Sequence, residues 1–243
     1  MADPRVSGYA GASACLASCS CQRSAMRGFS LVELLVGLTV GLVIAAGASA
    51  FLATTLREQR AVLVEGRLMQ DLRTAADVVA RDLRRAGYWA SAPDGAWLPG
   101  ARATVANPYA AVTPTSAASD AVGFAYSRDT VENDVLDGNE QFGFRLRGGA
   151  IQMQLGAGNW QALTDAGTLV VTAFDVTPEV QTVSLEAACP AACSASHAGC
   201  PPRLLVRSLA VHIAGHALAD PAVLRELRSS VRLRNDPVVG TCG

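Results

Sequence analysis

Arg27-Gly28-Phe29-Ser30-Leu31-Val32-Glu33-Leu34-Leu35-Val36 opens an apolar run that carries no charge from Leu34 to Leu56. That run is roughly 23 positions, enough for a helix to cross the hydrocarbon layer of a membrane. Arg23 and Arg27 precede it, which places its start on the cytoplasmic side. Glu33 lies at the apolar edge of the run, where an ionised carboxylate is costly unless it is paired or close to headgroups.

Gly28-Phe29-Ser30-Leu31-Val32-Glu33 resembles the processing site of type IV prepilins, in which a membrane peptidase cuts after the glycine. The resemblance implies cleavage between Gly28 and Phe29, N-methylation of the new terminal Phe29, and a part in assembly for Glu33. A cut there would leave an ammonium a few residues from Glu33. On a neighbouring subunit that ammonium would set the register of packing, because apolar helices in lipid gain little from apolar contact alone. Two plainer readings compete. One is an ordinary signal peptide with Ala48-Ser49-Ala50 as its cleavage site, and the other is a simple signal anchor. Against the first, Glu33 interrupts the start of the run and the run continues past Ala50.

Residues 1–28 read as a leader and not as structure. They hold Cys15, Cys19 and Cys21, three of the seven cysteines, and a leader removed by cleavage need not retain any chemistry in them. Met26 lies two residues before Gly28, and a start there would give the short Met-Arg-Gly leader typical of prepilins. The 243 residues suit one anchor and one domain of moderate size. A net charge of -1 gives no global field for nucleic acid or anionic lipid. Every basic residue other than histidine is an arginine.

Beyond Leu56 the helical period continues. Val62, Leu68, Leu72, Ala75, Val79, Leu83 and Ala86 recur at helical spacings between charges of both signs, which marks one buried face. No proline occurs between Phe29 and Ala92, and Gly87 is a plausible stop. Arg84 and Arg85 complement the negative end of the helix dipole, with Tyr88 and Trp89 expected to bury where the chain turns. Arg81-Asp82-Leu83-Arg84-Arg85-Ala86-Gly87-Tyr88-Trp89 is similar to a segment of PilW-type minor pilins and, more loosely, of the J-type pseudopilins of type II secretion.

Residues 91–118 are rich in Pro, Gly, Ala and Ser and read as an irregular loop with one short strand at most. Strands are expected at 121–126, 141–147, 150–155, 168–176, 204–213 and 224–233. Phe142, Phe144 and Leu146 alternate with polar or small residues, and Gly148-Gly149 forms a two-residue hairpin turn. Phe144-Arg145-Leu146-Arg147-Gly148-Gly149, Asn159-Trp160-Gln161-Ala162-Leu163 and Ser230-Val231-Arg232-Leu233-Arg234-Asn235 extend the likeness to PilW-type pilins. The expected fold is therefore α+β and pilin-like: a long amino-terminal helix, its first half transmembrane, packed on an antiparallel β-sheet head. The expected divisions are a leader (1–28), an assembly half of the helix (29–56), an amphipathic half (57–87) and a β-rich head (88–243).

Cys189, Cys193, His197 and Cys200 could close a tetrahedral zinc site. The stronger reading is a disulfide-tied loop with Cys242 as fourth partner, because the topology puts this region outside the cytoplasmic membrane. Four cysteines leave three connectivities open. The sequence holds no nucleophile elbow, phosphate loop, zinc-protease or dinucleotide motif, so no catalytic residue and no cofactor are assigned. His212 and His216, four apart, fall in a strand-like run and read as ordinary polar positions. Asp129, Glu132, Asp134, Asp137 and Glu140 do not match a calcium loop and read as a solvated acidic turn. Arg225, Arg228, Arg232 and Arg234 would not share one strand face, which argues against nucleic-acid binding.

The resemblance implies a minor pilin of type IV pilus biogenesis, a structural subunit that initiates or caps the fibre and supports adhesion and twitching motility. Its implied partners are other major and minor pilins, the prepilin peptidase and the inner-membrane assembly platform. It would reside in the inner membrane as a single-pass protein with a periplasmic head, and then in the fibre. The nearest alternative is a minor pseudopilin of type II secretion. From another class, the chain could be a periplasmic binding or enzymatic domain that uses the helix only as a tether.

Overall fold

The computed structural model describes residues 28–95, 105–193 and 199–242. Cys15, Cys19, Cys21 and Met26 of the leader, Pro99 and His197 lie outside the described residues. Helix α1 runs from Leu31 to Leu83. The chain divides after Thr54 into an amino-terminal unit and a second unit, Thr55–Gly243. In the first unit every residue of α1 is exposed.

In the second unit α1 buries Leu68, Leu72, Ala75, Val79, Ala80 and Leu83, the stripe that helical spacing requires. Val62, expected in that stripe, is 69% exposed; the core of the head begins at Leu68, with Val64 only partly covered. The helix ends at Leu83, three residues before the expected Ala86. There the chain tightens, with Arg85 N–H donating to the Asp82 carbonyl and Ala86 N–H to that of Leu83, both at 3.0 Å.

Two antiparallel sheets complete the head. The first has the order β1 (Val112–Thr113), β2 (Ala121–Ala125), β3 (Gln141–Arg147), β4 (Ala150–Leu155) and β5 (Trp160–Ala162). The hairpin β3–β4 turns at Gly148 and Gly149, with φ of 62° and 75°, a backbone region open to glycine without steric cost. The second sheet has the order β6 (Leu169–Ser184), β7 (Arg203–Ala217), β8 (Asp220–Arg232), with β9 (Val238–Val239) pairing the start of β7. Strands β6 and β7 run well past the expected 168–176 and 204–213. The extension of β6 carries mostly exposed residues that show no one-sided alternation, whereas that of β7, Ala214-Gly215-His216-Ala217, is largely buried and too poor in large apolar side chains to mark a strand.

The helix stripe and both sheets share one core. Phe142, Phe144, Ile151, Phe174, Leu209, Ile213 and Val231 are buried with Leu72 and Val79. Phe124, Tyr126, Phe142 and Phe144 stack from β2 and β3, with Tyr126 and Phe142 rings 4.0 Å apart. Each fully buried aromatic or aliphatic side chain of this kind contributes about 1.5–3 kcal/mol.

Candidate functional site

The segment singled out by sequence, Gly28-Phe29-Ser30, has no regular secondary structure and is exposed. A Cβ at Gly28 would meet nothing within 4 Å. Ser30 begins the helix ladder by accepting the Leu34 N–H at 3.0 Å. The Gly28–Phe29 peptide therefore precedes the helix and takes no part in its hydrogen bonds. Glu33 sits in the first turn of α1, where a carboxylate favours the positive end of the helix dipole. From Leu31 to Leu52 the large apolar side chains are all exposed. Among the described residues α1 is the one helix long and apolar enough to cross a membrane.

The second unit holds the helix exit by a set of polar contacts that the sequence did not announce. Gly87 has φ of 75° and donates its N–H to the Ala125 carbonyl at 2.8 Å, tying the end of the helix to β2. Its carbonyl accepts from Asn107 at 2.9 Å and Asn235 at 2.6 Å, so loop 105–111 and the chain after β8 converge on one residue. Trp89 is buried and donates Nε1 to Asp134 at 2.6 Å. Tyr88, expected to bury with it, is 43% exposed, because the turn at Gly87 aims successive side chains to opposite sides.

Of the acidic residues expected to form a solvated turn, Asp134 and Asp137 are exposed, while Glu132 and Glu140 are drawn into hydrogen bonds and Glu132 joins the helix exit. Glu132 accepts from the Ala90 amide at 3.0 Å, Tyr109 Oη at 2.9 Å and the Asp134 amide at 3.1 Å. Burial opposes its charge, but hydrogen bonds from Ser127, Ala90, Tyr109 and Asp134 outweigh that and hold its pKa below the usual carboxylate value. Burial, followed by the bond to Glu132, pushes the Tyr109 phenol up. Glu140 is fully buried and accepts the amides of Arg128 at 2.8 Å and Asp137 at 3.0 Å. Asp129 is half-buried, and desolvation and the neighbouring Glu140, Asp137 and Glu132 raise its pKa. Nothing local in the sequence marks Tyr109 or Asn107 for these roles, since both sit in an irregular loop.

Cys189 is bonded to Cys242, and Cys193 to Cys200. The first bridge fastens the chain after β9 to the turn after β6. His212 bridges three strands of the second sheet, with Nδ1 3.1 Å from Asp175 and Nε2 3.0 Å from Glu226. That bond and the nearby Arg228 hold Glu226 below the ordinary carboxylate range. His216 turns instead to the Ala217 carbonyl at 3.2 Å, so the two histidines share no ligand. Among the described residues no three His, Cys, Asp or Glu side chains are grouped to hold a metal. The arginines near the carboxy end divide between partners: Arg225 pairs with Glu65 of α1, Arg232 with Asp236 at 2.6 Å, and Arg234 donates to the Arg84 carbonyl at 3.2 Å.

Two family models match the chain. One, described as prepilin peptidase-dependent protein B, covers residues 62–233, and the other, the prokaryotic N-terminal methylation motif, covers residues 23–49. No curated protein and no solved structure matches.

Proposed function

Because the chain belongs to the family of prepilin peptidase-dependent protein B, we propose that it is a minor pilin of type IV pilus biogenesis, cleaved between Gly28 and Phe29 and methylated at Phe29. It is a membrane-anchored, prepilin-like protein and a pilin-like subunit of type IV pilus or secretion machinery. The observation that carries the finer reading is the open Gly28–Phe29 peptide directly ahead of an exposed apolar helix with Glu33 in its first turn.

Removal of residues 1–28 exposes the Phe29 ammonium. Glu33 then offers that group, on an adjacent subunit, a charge-assisted partner inside an apolar layer. Residues 29–56 pack with other pilin helices, residues 57–87 join them to the head, and 88–243 stand on the periplasmic side, where the disulfides of Cys189, Cys193, Cys200 and Cys242 persist. As a low-abundance subunit the protein starts or caps the fibre, working with the other pilins, the prepilin peptidase and the inner-membrane platform. Its contribution is structural, and it carries no reaction of its own.

Glu33→Ala tests this reading. The variant should enter the membrane in normal amount and be lost from sheared fibres. Undiminished incorporation would remove Glu33 from assembly.

A further inference from the structure

Among the described residues, strand β6 leaves one edge unpaired over its second half. Val176 exchanges both backbone bonds with Ser119, at 3.1 and 2.8 Å, on the side away from β7. From Val176 to Ser184 the register with β7 is unbroken, so alternation turns the N–H and C=O of Val180, Thr182 and Ser184 to that same outer side. Among the described residues none of these groups has a backbone partner there. Pro178 offers only a carbonyl, as prolines on strand edges do. Strand β7 is covered on its other flank: β8 pairs Ser208–Ala217, β9 pairs Arg203–Leu204, and Pro237 and Asp236 take the amides of Leu205 and Arg207.

The two outer edges of this sheet differ in kind. Strand β8 carries Arg225, Glu226, Arg228 and Arg232, charges that guard an edge against pairing. The open part of β6 reads Val180-Gln181-Thr182-Val183-Ser184, without a charge, with Val180 55% and Val183 40% exposed. It has the composition of a strand made to be paired.

We propose that this edge pairs with the same edge of a second copy, in a two-fold antiparallel ladder centred on Thr182. The register follows from the residues. Centred there, Thr182 faces Thr182, Val180 faces Ser184 and Gln181 faces Val183, and every outward donor of both copies finds a carbonyl. Centring on Val180 would set Thr182 against Pro178, which has no N–H to return. The flanking acids also avoid each other: Glu179 faces Leu185, and Glu186 faces Pro178. No like charges stand opposed, which is what a self-complementary edge requires. The ladder is short and its affinity modest, so it is best trapped where copies are concentrated in one membrane.

Single cysteines in the full chain, oxidised in the membranes of cells that make it, read the register directly. Facing residues of a hydrogen-bonded pair have Cα atoms about 5.5 Å apart, within disulfide reach. Thr182→Cys should give a disulfide-linked dimer. Val180→Cys and Ser184→Cys should give little dimer alone and a clear heterodimer when co-expressed. No dimer at Thr182→Cys, or equal dimer from all three variants alone, would overturn the pairing. So would an adduct of Thr182→Cys whose mass shows a different chain. All three positions are exposed, and the loss of one variant leaves the others decisive.

Discussion

Tyr109 Oη donates to Glu132 Oε1 at 2.9 Å, joining a fully buried ring in the loop after the helix to a carboxylate in the loop between β2 and β3. The bond does more than fill a polar gap. Glu132 also holds the amide of Ala90, so one side chain pins both the helix exit and loop 105–111. Glu132→Ala removes the carboxylate that accepts from the Tyr109 hydroxyl, leaving Ser127 and the Val135 carbonyl at 3.2 Å as its partners, and should cost about 1–3 kcal/mol. The pH dependence has a definite sign. A carboxylate whose folded pKa is depressed adds stability that is present above its unfolded pKa, about 4.3, and lost as pH falls through the folded value. Denaturation of the full chain in detergent should show the gap between wild type and Glu132→Ala shrinking below about pH 4. A gap that stays constant on acidification would remove the ionised carboxylate from the joint.

Gly87 supplies a second test of the same joint. Its φ of 75° costs about 1–2 kcal/mol for a residue with a Cβ, and that atom would come within 3.2 Å of the Arg234 carbonyl. Gly87→Ala should therefore lower thermal stability by at least that amount. Gly148→Ala, also at positive φ but with nothing within 4 Å of the added atom, should cost less. Equal losses would mean that contact with Arg234 adds nothing to backbone strain.

What the sequence made legible follows from where the physics is local. Gly148-Gly149 and the alternation of Phe142, Phe144 and Leu146 predicted β3 and β4 with the bounds observed. The stripe from Leu68 to Leu83 was equally plain, since burial repeats at the helical period. Val62 continued the pattern without being covered, because periodicity shows a face and not what packs on it. The far half of β6 lies beyond the expected strand because both of its faces are exposed there, so no alternation marks it; the end of β7, Ala214–Ala217, is buried but made of small residues and a histidine that carry no strand signal. The joint around Gly87 was missed for another reason. Asn107, Glu132 and Asn235 are far apart in the chain, and only the tertiary fold brings them to one carbonyl and one amide.

The two disulfides should contribute unequally. Cys189 and Cys242 are separated by 53 residues and Cys193 and Cys200 by 7. By loop-closure entropy the longer loop is worth about 4 kcal/mol and the shorter about 2.5 kcal/mol. Paired serine replacements at 189 and 242 should thus destabilise the protein more than those at 193 and 200, as read from denaturation under oxidising conditions. The reverse order would show that the longer bridge adds little to a head already closed by β9.

Incorporation into fibres separates an assembly subunit from a tethered domain. If the head worked alone, Glu33→Ala would leave function intact. As an assembly residue on a span of apolar side chains, Glu33 should instead be dispensable for membrane insertion and required for recovery with the fibre.

The most direct measurement is the intact mass and amino-terminal sequence of the protein from its native membrane, with and without the prepilin peptidase. The account predicts a chain that begins at N-methylated Phe29 only when the peptidase is present. A chain beginning at Phe51, after Ala48-Ser49-Ala50, would contradict it: the protein would then be a secreted domain, and Glu33 would be discarded with its signal peptide.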